Sequence, residues 1–183
     1  MASVIEDVYK NLNLQKIDNI LDIGAGTGFK TKKIAEVVGC NEVWILEGFA
    51  ENNVTKSNAA MKVKWRNTAN DFNYYWPKEK LTYMLKEGMG KINWYLIDAD
   101  NIDIPINKKF DIINSTLSCG YHYPLETYSS LIKAHSHQGT KLIFDLRIDK
   151  RGKLIEDKNF KIEKILHTVP GKCSKCLLKL TDL

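Results

Sequence analysis

The 183-residue sequence predicts an α/β fold, a doubly wound and mostly parallel sheet closed by a C-terminal antiparallel hairpin. Three observations predict it. Short runs rich in β-branched and aromatic residues recur along the chain and are apolar at consecutive positions, as strands buried on both faces are. Segments of helical periodicity lie between them, and such alternation marks a parallel sheet wound by crossovers. From Phe160 onward the pattern changes to polar–apolar alternation around a Pro-Gly turn, which reads as a hairpin.

The elements follow in order. NILDI at 19–23 is the first strand, and it runs into the glycine loop LDIGAGTG at 21–28. Residues 28–38 form a helix with Phe29, Ile34, Val37 and Val38 on its apolar side, and Gly39 stops it. VWILE at 43–47 is the second strand. Residues 77–87 form a helix opened by Pro77, with Leu81, Met84 and Leu85 inward and Gly88 as the stop. INWYLID at 92–98, FDIINST at 110–116 and TKLIFDLR at 140–147 are strands three, four and five. Between the last two, residues 124–136 begin with Pro124 and place Leu125, Tyr128, Leu131, Ile132 and His135 on one face, with Gly139 as the stop. The hairpin pairs 160–169 with SKCLLKLTDL across a PGK turn. No internal repeat or low-complexity segment interrupts the pattern.

Composition sets bounds. A chain of this length makes one domain with one sizeable core, so residues 1–183 read as a single unit. Hydrophobic residues are 44% and charged residues 27%, as in ordinary globular proteins. No apolar run is long enough to cross a bilayer, and MASVIEDVYKNLNL lacks a signal-peptide core, so a cytoplasmic protein without membrane contact is expected. The net charge of +5 tolerates an anionic partner without demanding one. Four cysteines without a signal do not make a disulfide scaffold. Cys173 and Cys176 form a CxxC, read as ordinary thiols in the terminal hairpin; zinc is the alternative, but a second ligand pair is missing and no metal is assigned.

The glycines stand at Gly24, Gly26 and Gly28, a G-x-G-x-G spacing rather than the G-x-G-x-x-G of dinucleotide binders. Taken with five parallel strands and a closing hairpin, ILDIGAGTG at 20–28 resembles the first motif of the class I S-adenosylmethionine-dependent methyltransferases, and the resemblance spans roughly residues 17–183. It implies a Rossmann-like methyltransferase domain with S-adenosyl-L-methionine as cofactor. The loop Gly24, Ala25, Gly26 and Gly28 would approach the cofactor, with Asp22 near its methionine end. Glu47, closing the second strand, would accept from both ribose hydroxyls. IDADNIDIP at 97–105 matches the family's adenine border, which gives Asp98 the exocyclic amine and the Ala99 N–H a ring nitrogen. Glu47 alone would equally suit NAD, whose pyrophosphate cradle is missing here.

The acceptor belongs after strand four, where the chain reads STLSCGYHYP at 115–124. Ser115, assigned to the cofactor side, Thr116 and Ser118 offer hydroxyls. His122 is the best-placed general base, because imidazole titrates near neutrality, and Tyr121 is its catalytic neighbour. The competing reading is a packing cluster that anchors the next helix. His135 reads as a structural cap, and His137 and His167 as incidental. There is no [NDS]-PP-[YFW] motif, and no aspartate in Ser115–Gly120 for the Lys–Asp–Lys–Glu set of RNA ribose methyltransferases. A small molecule or sugar methylated on oxygen is therefore preferred over RNA, with a non-catalytic cofactor-binding module as the third reading. The YHYP segment loosely resembles methyltransferases linked to bacterial surface sugars. Between Gly48 and Lys91 the connection is long, and an insert at about 62–90 holds Trp65, Phe72, Tyr74, Tyr75, Trp76 and Tyr83. It is expected either to cover the acceptor, hinging at Gly88 and Gly90, or to bury its own helix.

Overall fold

A computed structural model describes residues 2–12, 14–49, 76–155 and 157–181. Seven strands form one sheet: β1 (Asn19–Ile23), β2 (Glu42–Glu47), β3 (Asn93–Asp98), β4 (Ile112–Ser115), β5 (Lys141–Arg147), β6 (Phe160–Val169) and β7 (Cys173–Leu180). Their spatial order is β3-β2-β1-β4-β5-β7-β6. The first five are parallel, and β7 and β6 run antiparallel to close the sheet. The predicted fold class therefore stands, with the hairpin at one edge of the sheet, and each of the five parallel strands falls within two residues of its expected bounds at either end.

Helices cover both faces. On one, α1 (Ala2–Lys10), α2 (Phe29–Val38) and α3 (Lys78–Gly88) pack Ile5, Ile34, Leu81 and Leu85 against Ile20, Ile45 and Ile112. On the other, a 3₁₀ turn (Leu125–Tyr128) and α4 (Ser129–His135) bring Leu125 and Ile132 against Leu21, Ile113 and Phe144. Alternate residues of each strand serve opposite layers, which is why the runs are apolar at consecutive positions. Among the described residues no helix is long and apolar enough to cross a membrane.

Several local expectations are corrected. Phe29, assigned to the apolar side of α2, is 72% exposed, because it sits in the first turn, beyond the part of the helix that reaches the sheet. Gly88 is the last residue of α3 rather than its stop; the positive φ falls at Gly90. The segment 124–136 is broken into a 3₁₀ turn and α4, which ends in extended backbone at Ser136, so Gly139 terminates nothing. His135 does not cap the helix: it is buried, and its Nδ1 donates to the Lys108 carbonyl at 2.8 Å. The N-terminal helix α1 was not anticipated. Of the insert, 62–75 lies outside the described residues. Its helix α3 packs Leu81 and Leu85 into the core at 0% and 1% exposure, as the alternative reading of a helix that buries its own apolar face expects. Cys173 and Cys176 are buried on β7 with free thiols, and three residues along a strand put them on opposite faces.

Candidate functional site

The chain winds outward through β1, β2 and β3, then crosses back to lay β4 on the other side of β1. Such a reversal opens a crevice above the C-terminal strand ends, where open α/β sheets hold their ligands. The glycine loop lies there, and its three glycines do different things. Gly24 has φ +71°, and a Cβ on it would stand 1.9 Å from Ser118 Oγ, so the loop after β4 rests directly on it. Gly28 is pressed in the same way by Leu85 and Met89 of the α3 segment. Gly26 faces open space among the described residues, none of which comes within 4 Å of its would-be Cβ.

Beside Gly26 stands Glu47, carried there by the last position of β2. Its Oε2 accepts the Gly26 N–H at 2.6 Å and its Oε1 accepts the Gly48 N–H at 3.2 Å. Burial raises its carboxyl to about 7; the two amide bonds oppose this, and the nearby Asp22 adds to it. An ionised carboxylate offers about four acceptor positions, so two remain for a pair of hydroxyls.

The end of β3 lies one strand further out. Asp98 Oδ1 accepts the Asp100 N–H at 2.9 Å, which folds the chain into a tight turn. The Ala99 N–H, expected to meet a ring nitrogen, donates instead to the Glu47 carbonyl at 3.0 Å. The parallel register that pairs Glu47 with Asp98 runs on by one bond and uses that amide.

Beneath the loop, Asp22 is 1% exposed, and its carboxylate accepts Thr31 Oγ1 at 2.5 Å and Asn114 Nδ2 at 2.7 Å. Burial raises its carboxyl; the bonds from Thr31 and Asn114, and then Lys175 and Lys30, pull the other way. Asn114 Oδ1 in turn accepts the Tyr9 hydroxyl at 2.5 Å. Asp22 therefore acts from below, tying β1 to α2, β4 and α1. Ser115, assigned to the cofactor, is fully buried: its Oγ donates to the Ile23 carbonyl at 2.7 Å and accepts the Cys119 N–H at 2.8 Å. Its work is to stitch β1 to the loop after β4.

That loop is knotted tightly. Leu117 takes φ +55°, unusual for a branched residue, and its N–H donates to Asp145 Oδ2 at 3.0 Å. The Ser118 carbonyl accepts the N–H groups of Tyr121 and His122 at 3.0 and 2.7 Å, and Ser118 Oγ lies 2.8 Å from the Tyr123 hydroxyl. Tyr121 and His122 meet edge to face, with ring centroids 4.7 Å apart. Lys175 and Asp145 form a buried pair at 2.9 Å, and Lys175 also donates to Thr116 Oγ1 at 3.2 Å. Thr31, Asn114, Asp145 and Lys175 were all missed in the sequence. The available signal was a polar residue near one end of an otherwise apolar strand, as in IINS and KLIFDLR. Among the described residues no cluster of His, Cys, Asp and Glu is arranged to hold a metal.

No protein-family model matches the sequence, and no curated protein matches it. Solved structures do resemble the fold. The mitomycin 7-O-methyltransferase MmcR aligns over 98% of this chain and 54% of its own, at 12% identity and TM-score 0.60. An MtNAS variant in complex with S-adenosylmethionine aligns over 97% of this chain and 62% of its own, at 14% identity and TM-score 0.60. A TehB-like S-adenosylmethionine-dependent methyltransferase from Corynebacterium glutamicum aligns over 97% and 88%, at 12% identity and TM-score 0.58. The chain spans about half the length of MmcR and under two thirds of MtNAS. The fold is that of the class I S-adenosylmethionine-dependent methyltransferases.

Proposed function

We propose that the chain is a methyltransferase that uses S-adenosyl-L-methionine and transfers its methyl group to an oxygen of a small molecule or sugar. One observation carries the reading: an open-faced Gly26, a Glu47 carboxylate with acceptor capacity to spare and Asp98 stand in order at the ends of β1, β2 and β3. In this reading Gly24, Ala25, Gly26 and Gly28 shape the cofactor bed, Glu47 takes the ribose hydroxyls and Asp98 the adenine amine. Asp22 holds the bed from beneath. Ala99 and Ser115 lend only their backbone and packing.

Methyl transfer from a sulfonium is an in-line displacement whose leaving group is already activated. The protein's tasks are to align the nucleophile and exclude water, and for an oxygen nucleophile to take its proton. His122 is the proposed base. Its support is the tight loop that seats Ser118 on Gly24 and holds the His122 amide by the Ser118 carbonyl. Tyr121 braces the imidazole edge to face. The test is calorimetric titration with S-adenosylmethionine and S-adenosylhomocysteine: micromolar binding, about −8 kcal/mol, that Glu47→Ala weakens is expected. Binding of NADH with no binding of either sulfur compound overturns it.

A further inference from the structure

Beside Tyr121, a cleft of about 360 Å³ opens between the Tyr121 loop, the end of β5 and the β6–β7 turn. Among the described residues, three cationic side chains line it, Arg147, Lys150 and Lys172, with one carboxylate, Asp149. Two of the cations share one ring: the Arg147 guanidinium stands 5.8 Å from the Tyr121 centroid and the Lys172 ammonium 6.0 Å. The sheet brings them together. Arg147 pairs with Cys173, the residue after Lys172, and the Ile148 N–H donates to the Lys172 carbonyl at 3.1 Å. Asp149 spends its charge locally, since its Oδ1 accepts the N–H groups of Arg151 and Lys153, each at 2.8 Å. Burial holds the Lys30 ammonium of α2 below its usual range; Asp145 and Asp22 oppose this, while Lys175 and Lys172 add repulsion.

We propose that this cleft is an oxyanion-recognition site, in which Arg147 and Lys172, gathered about the Tyr121 ring, bind a phosphate or carboxylate group of the acceptor. Like charges gathered about one aromatic ring are favourable when an anion sits between them, and a guanidinium suits a planar or tetrahedral oxyanion. Tyr121 links the cleft to the chemistry: its ring supports both cations and touches His122 edge to face. An acceptor anchored here by its anion places its remaining groups beside His122. The anion site itself needs only the charges described; its service to the acceptor rests on the methyltransferase reading.

The test uses the full chain without cofactor, titrated with inorganic phosphate and separately with acetate at constant ionic strength held by chloride. Backbone amide shifts at Tyr121, Arg147, Ile148 and Lys172 are the readout. Saturable shifts confined to these amides are expected, and Lys172→Gln and Arg147→Gln should each weaken binding about fivefold, the scale of one exposed charged contact. Lys172 lies exposed in a turn, so its loss leaves the fold intact and keeps the test valid if the Arg147 variant fails to fold. Saturation by phosphate alone assigns a phosphoryl group, and by acetate alone a carboxylate. No saturable shift with either, or shifts unaltered in Lys172→Gln, overturns the site. S-adenosylhomocysteine titrated on the same sample, read at Gly26, separates this outcome from failure of the cofactor reading.

Discussion

Cofactor affinity should depend on pH through Glu47. The carboxyl is raised to about 7 because most of its surroundings are protein, and in the free chain its bonds to Gly26 and Gly48 do not fully replace water. Two ribose hydroxyls donating to it would favour the ionised form. At pH 6 about one molecule in eleven carries the ionised group, and at pH 8 about ten in eleven, so the dissociation constant for S-adenosylhomocysteine should fall about tenfold over that interval. Proton release on binding accompanies it near pH 6. The stability effect has the opposite sense. The folded carboxyl holds its proton more tightly than the unfolded one, so its contribution is fully present below the usual value of 4.5 and is lost as pH rises through about 7. The full shift corresponds to about 3 kcal/mol. Calorimetry in buffers of different ionisation heats measures both constant and protons. Glu47→Gln should bind more weakly at pH 8 and lose the pH dependence. A constant that is flat from pH 6 to 8 in the wild type, or one that still varies tenfold in Glu47→Gln, refutes the reasoning.

Three further outcomes are expected. His122→Ala should lower turnover about 10²-fold or more while leaving S-adenosylhomocysteine affinity unchanged, and equal turnover would make His122 a packing residue. Gly24→Ala should cost about 2–4 kcal/mol in denaturant melts, since strained backbone adds to overlap with Ser118, whereas Gly26→Ala, with open space before it, should cost about 1–2. The order reverses for cofactor affinity per unit of stability lost; equal melts would show that the loop after β4 yields freely. Lys175→Met should cost about 3–5 kcal/mol by leaving Asp145 buried without its cation, and Lys175→Met with Asp145→Leu should recover most of it, a urea titration of the pair being the check.

What could be read in the chain was local. β1 and β2 announce themselves because burial on both faces makes every residue of ILDI and VWIL apolar or functional, and Gly39 because a left-handed cap closes α2 with its amide on the Ala35 carbonyl. The helix α1 is legible too, through Val4, Ile5, Val8 and Tyr9 at helical spacing. What depends on long-range partners was not legible. Tyr9 reaches Asn114 across 105 residues, and Asp145 meets Lys175 only through the antiparallel register of β5 and β7. Nothing near Ala99 in the sequence says that the β2–β3 ladder takes its amide. Ser115 could be seen as a hydroxyl after strand four, but not as one buried beneath the loop it was expected to present.

The outermost strand at the hairpin end has its own consequence. β6 leaves regular pairing with β7 twice, between Ile162 and Lys164 and between Ile165 and His167, and it shows Lys161, Glu163 and Lys164 to solvent. A straight, apolar margin would be a template on which another polypeptide could add a strand. Bulges twist the free amides and carbonyls out of line, and the lysines charge whatever approaches. The hairpin that completes the sheet thus also keeps it from growing. A variant of β6 without these irregularities and charges would offer a straight margin on which a further strand could pair.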